Sequence, residues 1–189
     1  IAQKGADLGH SKSKRILGIM KRRGTGTEKD DQNAFKLLTE SSNAGDTQAK
    51  FHLAKMYLTG SDACKKDEKK AFQLVCESAE KEHPPSVLLK ANMLLRGIGT
   101  KKKPKEAYKT ASDLAQKTGN IPCLRFVGVC QYLGLGTNKD LESASKCLLR
   151  AAETDTIAQY YYAMLLKGLS RYPQNRDEVA SYLQKAADK

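Results

Sequence analysis

A glycine that keeps returning constrains this chain more than any other feature: Gly24, Gly60, Gly97, Gly134 and Gly168 stand at intervals of 36, 37, 37 and 34 residues. Each closes a stretch of apolar residues at helical spacing. Each is followed by an alanine that opens a second such stretch, at Ala34, Ala71, Ala107, Ala144 and Ala180. A helix-turn-helix unit repeated at this period cannot bury its apolar face alone, so neighbouring units must stack. The expected fold is all-α, an α-solenoid of about five stacked antiparallel helix pairs. The units fall at 10–46, 47–83, 84–120, 121–155 and 156–189, with 1–9 as the tail of a preceding unit. Both ends interrupt the beat, so the chain is expected to be a fragment of a longer protein that carries this single array.

Within residues 47–82, Ala49, Phe51, Leu53, Ala54, Met56 and Tyr57 give an apolar helix face that stops at Gly60. Asp67 precedes a second apolar face, Ala71, Phe72, Leu74, Val75 and Ala79, where its carboxylate can cap the helix and complement its dipole. Asp30 and Asp140 hold the same place. Lys103 and Arg176 do not, so those starts are expected to be weaker, although Pro104 suits a first helical turn. Small residues mark close helix approaches, at Ala54, Ala91, Gly128 and Ala163 in first helices and Ala79, Ala111 and Ala151 in second ones.

These residues resemble the Sel1-like repeat family, relatives of the tetratricopeptide repeat with a longer inter-helix turn. The likeness is carried by Leu17-Gly18, Gly24-x-Gly26, Asp30 and Ala34 in one unit, and by Val127-Gly128, Gly134-x-Gly136, Asp140 and Ala144 in another. It covers nearly the whole chain but is uneven. Gly60-Ser61-Asp62 and Gly168-Leu169-Ser170 lack the second glycine, and the tyrosine usual before the first glycine survives as Tyr57. The resemblance implies a right-handed superhelix, first helices along its concave side, and an adaptor that binds another protein without a catalytic centre.

Charge follows the repeat. The formal net charge is +12. The first-helix segments 10–24, 47–60, 84–97, 121–134 and 156–168 hold twelve of the 33 Lys and Arg and none of the Asp or Glu, while the 21 cations elsewhere match the 21 acids. With first helices inward, the concave face is positive and the convex face balanced. Its expected partner-binding residues are Lys12, Arg15, Ile19, Arg22 and Arg23, then Gln48, Phe51, Lys55 and Leu58, then Asn92 and Arg96, then Arg125, Val129 and Tyr132. The groove runs from basic to apolar, and its guanidinium groups can grip carboxylate or phosphate in two-pronged contacts. The expected ligand is therefore an acidic or phosphorylated segment of a partner protein. Against this stands the plain alternative of a solvated basic face, since Lys and Arg are good helix formers.

Other function classes find little support. No apolar run reaches the roughly 20 residues of a membrane helix. The five cysteines include no CxxC and read as buried, reduced residues, which points to the cytoplasm, with the nucleus open. Lys101-Lys102-Lys103-Pro104-Lys105 has the composition of an import signal but occupies an inter-helix turn. The glycine pairs lack the GxxxxGK[ST] arrangement of a phosphate cradle. His10, His52 and His83 stand apart without partners. No catalytic residue, cofactor or metal ligand is expected, and the chain is not read as an enzyme. Two competing readings remain. A positive groove could hold single-stranded RNA or DNA, although stacking aromatics are sparse, with no Trp and four Phe. The array could instead regulate a larger enzyme, or self-associate through uncapped ends.

Overall fold

The computed structural model describes residues 2–169 and 176–187. The described residues form eleven α-helices and no strand. After α1 (Ala2–Asp7), the helices follow in five successive pairs: α2 (Ser11–Arg23) and α3 (Asp31–Asn43), α4 (Thr47–Thr59) and α5 (Glu68–Ala79), α6 (Pro84–Arg96) and α7 (Pro104–Thr118), α8 (Ile121–Leu133) and α9 (Leu141–Ala152), α10 (Thr156–Leu169) and α11 (Arg176–Ala187). They gather into two compact units, Ile1–Met93 with Gly97–Lys102 and Leu94–Arg96 with Lys103–Lys189, so the division falls inside α6.

In the first unit the core is shared between pairs. Leu38 from α3, Leu53, Met56 and Tyr57 from α4, Ala71 and Val75 from α5 and Met93 from α6 form one buried cluster. Burial of each large side chain contributes roughly 1.5–3 kcal/mol, available only once the neighbouring pair is in place. The second unit repeats the scheme around Leu148, Ala144, Ala151 and Leu165, all at most 1% exposed. Size matching sets the closest approach within a pair. A Cβ on Gly18 would stand 3.0 Å from Leu38 Cγ, and one on Gly128 would stand 2.7 Å from Leu148 Cγ. Where the first helix carries Ala54 instead, the second carries the smaller Val75 in the same cluster.

The turns are as regular as the helices. In each of the first four pairs the residue before the second helix donates its backbone N–H to a carbonyl eleven places into the first: Asp30 to Lys21, Asp67 to Tyr57, Lys103 to Leu94 and Asp140 to Gln131, at 2.8–3.0 Å. Asp30, Asp67 and Asp140 then accept from the N–H of Asn33, Lys70 and Ser143, while Lys103 makes no side-chain cap bond and Pro104 opens α7. Gly24, Gly97 and Gly134 end their helices at left-handed torsions. The turn after Gly60 has one more residue and no second glycine, and Ser61 and Cys64 close it by exchanging backbone hydrogen bonds.

Three sequence expectations need correction. Gly168 does not end a helix, because α10 runs through it to Leu169. Ala180 is exposed, whereas Ala34, Ala71, Ala107 and Ala144 are fully buried, and the half-buried residue beside it is Val179. Ala79 is only half-buried. The small residue that meets the first helix in that pair is Ser78, whose hydroxyl donates to the Thr47 carbonyl at 2.8 Å, as Ser41 donates to Ser11. The turn after Leu169 and the side chain of Arg176 lie outside the described residues. Tyr160, Tyr161 and Tyr162 divide as consecutive helix positions must, exposed, half-buried and buried in turn.

Candidate functional site

In α2, α4 and α8 the fifth residue meets the residue that caps the next first helix. Arg15 Nε lies 3.0 Å from Asp46 Oδ2, and Asp46 also accepts from the N–H of Gln48 and Ala49 at the start of α4. Arg125 Nε lies 3.0 Å from Asp155 Oδ2 in the same way, with Asp155 capping α10 through Ala158. Where the fifth residue is Phe51, the next cap is His83, and the two rings stand edge to face with centroids 5.5 Å apart. A second pairing joins Lys14 to Glu40 and Lys50 to Glu77 at 2.8 and 2.6 Å, from first helix to second helix of one pair. Four of the twelve first-helix cations are thereby consumed by acids that lie outside the acid-free segments. Arg15 and Arg125 are accordingly latches between repeats rather than free anchors.

Among the cations left in the first unit, Lys21, Arg22 and Arg23 end α2 and Lys55 stands on α4. Arg22 reaches Thr59 Oγ1 at 3.5 Å, while Lys21 and Arg23 make no ion pair with any described residue. Lys55 Nζ stands 5.7 Å from the centre of the Phe51 ring. His52 reports their joint field. Burial, and after it the charges of Lys55, Arg22, Arg23 and Arg15, bring its imidazole down to about 4. It is neutral at physiological pH.

Beside this cluster α4 and α6 enclose an open cleft of about 380 Å³. Phe51, Leu58, Pro85, Leu88 and Leu89 give it an apolar wall; Lys55, Thr59 and Asn92 supply the polar groups, and no carboxylate lines it. Asn92 donates Nδ2–H to the Leu88 carbonyl within its own helix, which leaves Oδ1 as an acceptor. The Phe51 ring stands edge to face with two imidazoles, His52 at 5.4 Å and His83 at 5.5 Å. His83 is itself fixed by a serine chain. Ser78 spends its proton on the Thr47 carbonyl, so Ser86 must donate to Ser78, and His83 Nδ1–H must donate to Ser86. Burial and Arg15 push the His83 imidazole below its usual value, with Asp46 acting in the opposite sense.

The expected groove residues thus separate. Arg22, Arg23, Lys55, Phe51, Leu58 and Asn92 lie at the α2/α4 cluster or the adjoining cleft. Ile19 is half-buried and packed on the core cluster, so it serves the fold. Lys12 and Gln48 are exposed near the starts of α2 and α4. Arg96 is exposed and belongs to the second unit, with Arg125, Val129 and Tyr132. Tyr132 and Val129 are half-buried, and the Tyr132 ring packs on Tyr161 at 6.5 Å and under Lys139. Sequence reasoning missed Pro85 and Leu89 and the acids that neutralise Arg15 and Arg125. The latter carried an internal signal, since arginine at the fifth position is followed 30 or 31 residues later by aspartate, and phenylalanine 32 residues later by histidine. None of the five cysteines is in a disulfide, and burial pushes the thiols of Cys123 and Cys130 up to about 11, which makes them inert.

The Sel1 repeat family model matches residues 11–46, 47–83, 91–109, 121–153 and 156–189, and the chain belongs to that family. Among solved structures it is similar to a Sel1 repeat protein from Oxalobacter formigenes, with 24% identity, TM-score 0.82, and 95% of this chain and 73% of that one covered. It is also similar to a protective antigen of uropathogenic Escherichia coli that displays the same repeat fold, with 19% identity, TM-score 0.83, and 99% and 40% covered. A Sel1 repeat protein from Klebsiella pneumoniae matches at 18% identity and TM-score 0.62, with 98% and 90% covered. No curated protein matches the chain in sequence. Sel1 repeat proteins generally act as non-catalytic scaffolds for protein–protein interaction.

Proposed function

We propose that this chain is an interaction scaffold that captures an acidic or phosphorylated segment of a partner protein on the shared face of α2 and α4, with Arg22 and Arg23 as anchors and Lys55 beside them. The observation that carries this reading is that Arg22, Arg23 and Lys55 make no ion pair with any described acid, while Arg22 reaches Thr59 on α4 and Lys55 stands over Phe51 on the same helix. A guanidinium pair can hold carboxylate or phosphate in two-pronged contacts, and clustered like charges draw such a ligand in from a distance. Free buried thiols suit the cytoplasm or nucleus as its place of work. Among the described residues no helix is long and apolar enough to cross a membrane.

The test compares dye-labelled glutamate-rich, phosphoserine-containing and neutral peptides by fluorescence anisotropy across a salt series. The acidic peptides are expected to bind with salt-dependent affinity, and Arg22→Glu with Arg23→Glu should weaken them at least tenfold at unchanged helicity. Binding should also raise the His52 imidazole, followed by NMR, as ligand charge offsets the cations. Unchanged affinity in the double variant removes the reading. A single-stranded oligonucleotide that binds more tightly than every peptide, with a steeper salt slope, would reassign the face to nucleic acid.

A further inference from the structure

We infer that the α4/α6 cleft is the specificity subsite of that face, receiving one bulky apolar side chain of the same acidic segment. This rests on the reading above and adds to it, since charge attraction alone would accept any acidic peptide.

The cleft and the cationic cluster are one surface. Thr59 lines the cleft and accepts from Arg22. Lys55 also lines the cleft, with its ammonium over the ring of Phe51 at the apolar wall. An acidic residue held at Arg22 and Lys55 therefore leaves the next part of its chain beside Phe51, Leu58 and Leu88. The apolar wall is also ordered where it matters, because Phe51 packs edge to face on His52 and His83, and His83 is held by the Ser86–Ser78 chain. A pre-formed apolar wall loses little order on binding, and so it discriminates by size. Asn92 Oδ1 offers one acceptor to a peptide N–H. With cations at its margin and no acid in its lining, the cleft disfavours a basic ligand and suits an apolar residue that acids flank.

The experiment uses the full chain and paired dye-labelled peptides. Each pair carries the same glutamate run, a glycine spacer of varied length, and either leucine or alanine, placed before or after the acids. For at least one spacer and order, the leucine peptide is expected to bind roughly tenfold or more tightly, on the scale of about fourfold per buried methylene, with the salt slope equal in both. Leu88→Gln should erase the difference between the pair, and a thermal melt reports whether that variant is folded. If every pair binds with salt dependence but without a leucine advantage, the subsite is overturned and the acidic-ligand reading stands. If no peptide binds with salt dependence, both fall.

Discussion

The first-helix faces of the two units are made from the same repeat yet carry different chemistry. In the first unit Arg15 latches onto Asp46, and in the second Arg125 latches onto Asp155, with one geometry and one distance. The last two residues of α2 are Arg22 and Arg23, where α8 ends in Tyr132 and Leu133. Lys55 corresponds by position to Val129. What the two regions share is architecture, and what only one of them has is a candidate for function. All three histidines also fall in the first unit, so histidine-linked protonation belongs to it alone.

The largest effects should strike the shared architecture and be equal in both units. Gly99 and Gly136 have positive φ and lie against the carbonyls of Glu68 and Pro104, where a Cβ would overlap the backbone. Gly99→Ala and Gly136→Ala should each cost about 3 kcal/mol, from left-handed torsion and overpacking together. Urea melts measure it. Similar losses in the two variants support one repeated device, whereas a tolerated alanine in either unit would show that its turn packs differently.

Smaller losses are expected at the latches. Arg15→Ala and Arg125→Ala should each cost about 1–2 kcal/mol, limited because Asp46 and Asp155 retain their backbone hydrogen bonds. Arg15 should lose more, since its pair is the more buried, at 16% and 8% side-chain exposure against 24% and 17%. Replacing Arg15 and Asp46 together by Phe and His, as at Phe51 and His83, should recover part of the loss in a double-mutant cycle. Neither latch variant should weaken peptide binding as Arg22→Glu with Arg23→Glu does. A binding loss as large at Arg125 would erase the distinction between the units.

Protonation provides a finer contrast. The His52 imidazole moves from 6.5 to about 4 on folding, so as pH falls the unfolded chain takes up its proton first. Stability is complete above about 6.5 and is lost progressively down to about 4. Hydrogen exchange between these values should show the first unit loosening before the second. Arg22→Ala with Arg23→Ala should raise the His52 value only partly, because burial is its larger cause. A full return to 6.5 would mean that charge, not burial, dominates.

The periodicity of glycine and alanine made the helix pairs legible, since one strong signal recurred and small residues occur where backbones must approach. Gly128 could be read as a close-packing site, and opposite it stands Leu148; Gly18, quoted only for its likeness to the repeat pattern, meets Leu38 in the same way. Legibility weakened where a residue's role depends on a partner some thirty positions away. Arg15 and Arg125 counted as groove charge because Asp46 and Asp155 fall just outside the helical segments, and a division by helix separates each pair. The cleft was half legible. Phe51, Leu58 and Asn92 followed from the phase, while Pro85 and Leu89 lie on neighbouring positions that a single-face reading of α6 leaves out.

The smallest expected effect concerns the one missing cap among the first four second helices. Lys103 has φ −139° and ψ 72°, close to the −140° and 99° of Asp140, so the backbone there already has a capping shape and only the acceptor is absent. Asp140 shows what an acceptor does, because the Ser143 N–H holds its carboxyl below the usual carboxylate range. Lys103→Asp should therefore stabilise the second unit by about 0.5–1 kcal/mol. The gain is reduced by loss of the exposed Lys103–Glu106 pair and by the new acid beside Glu106. A rise in Tm of roughly 1–4 °C follows. Because Lys103 belongs to the second unit, hydrogen-exchange protection should rise there and stay level in the first, and a rise spread over both would mean that the two units unfold as one.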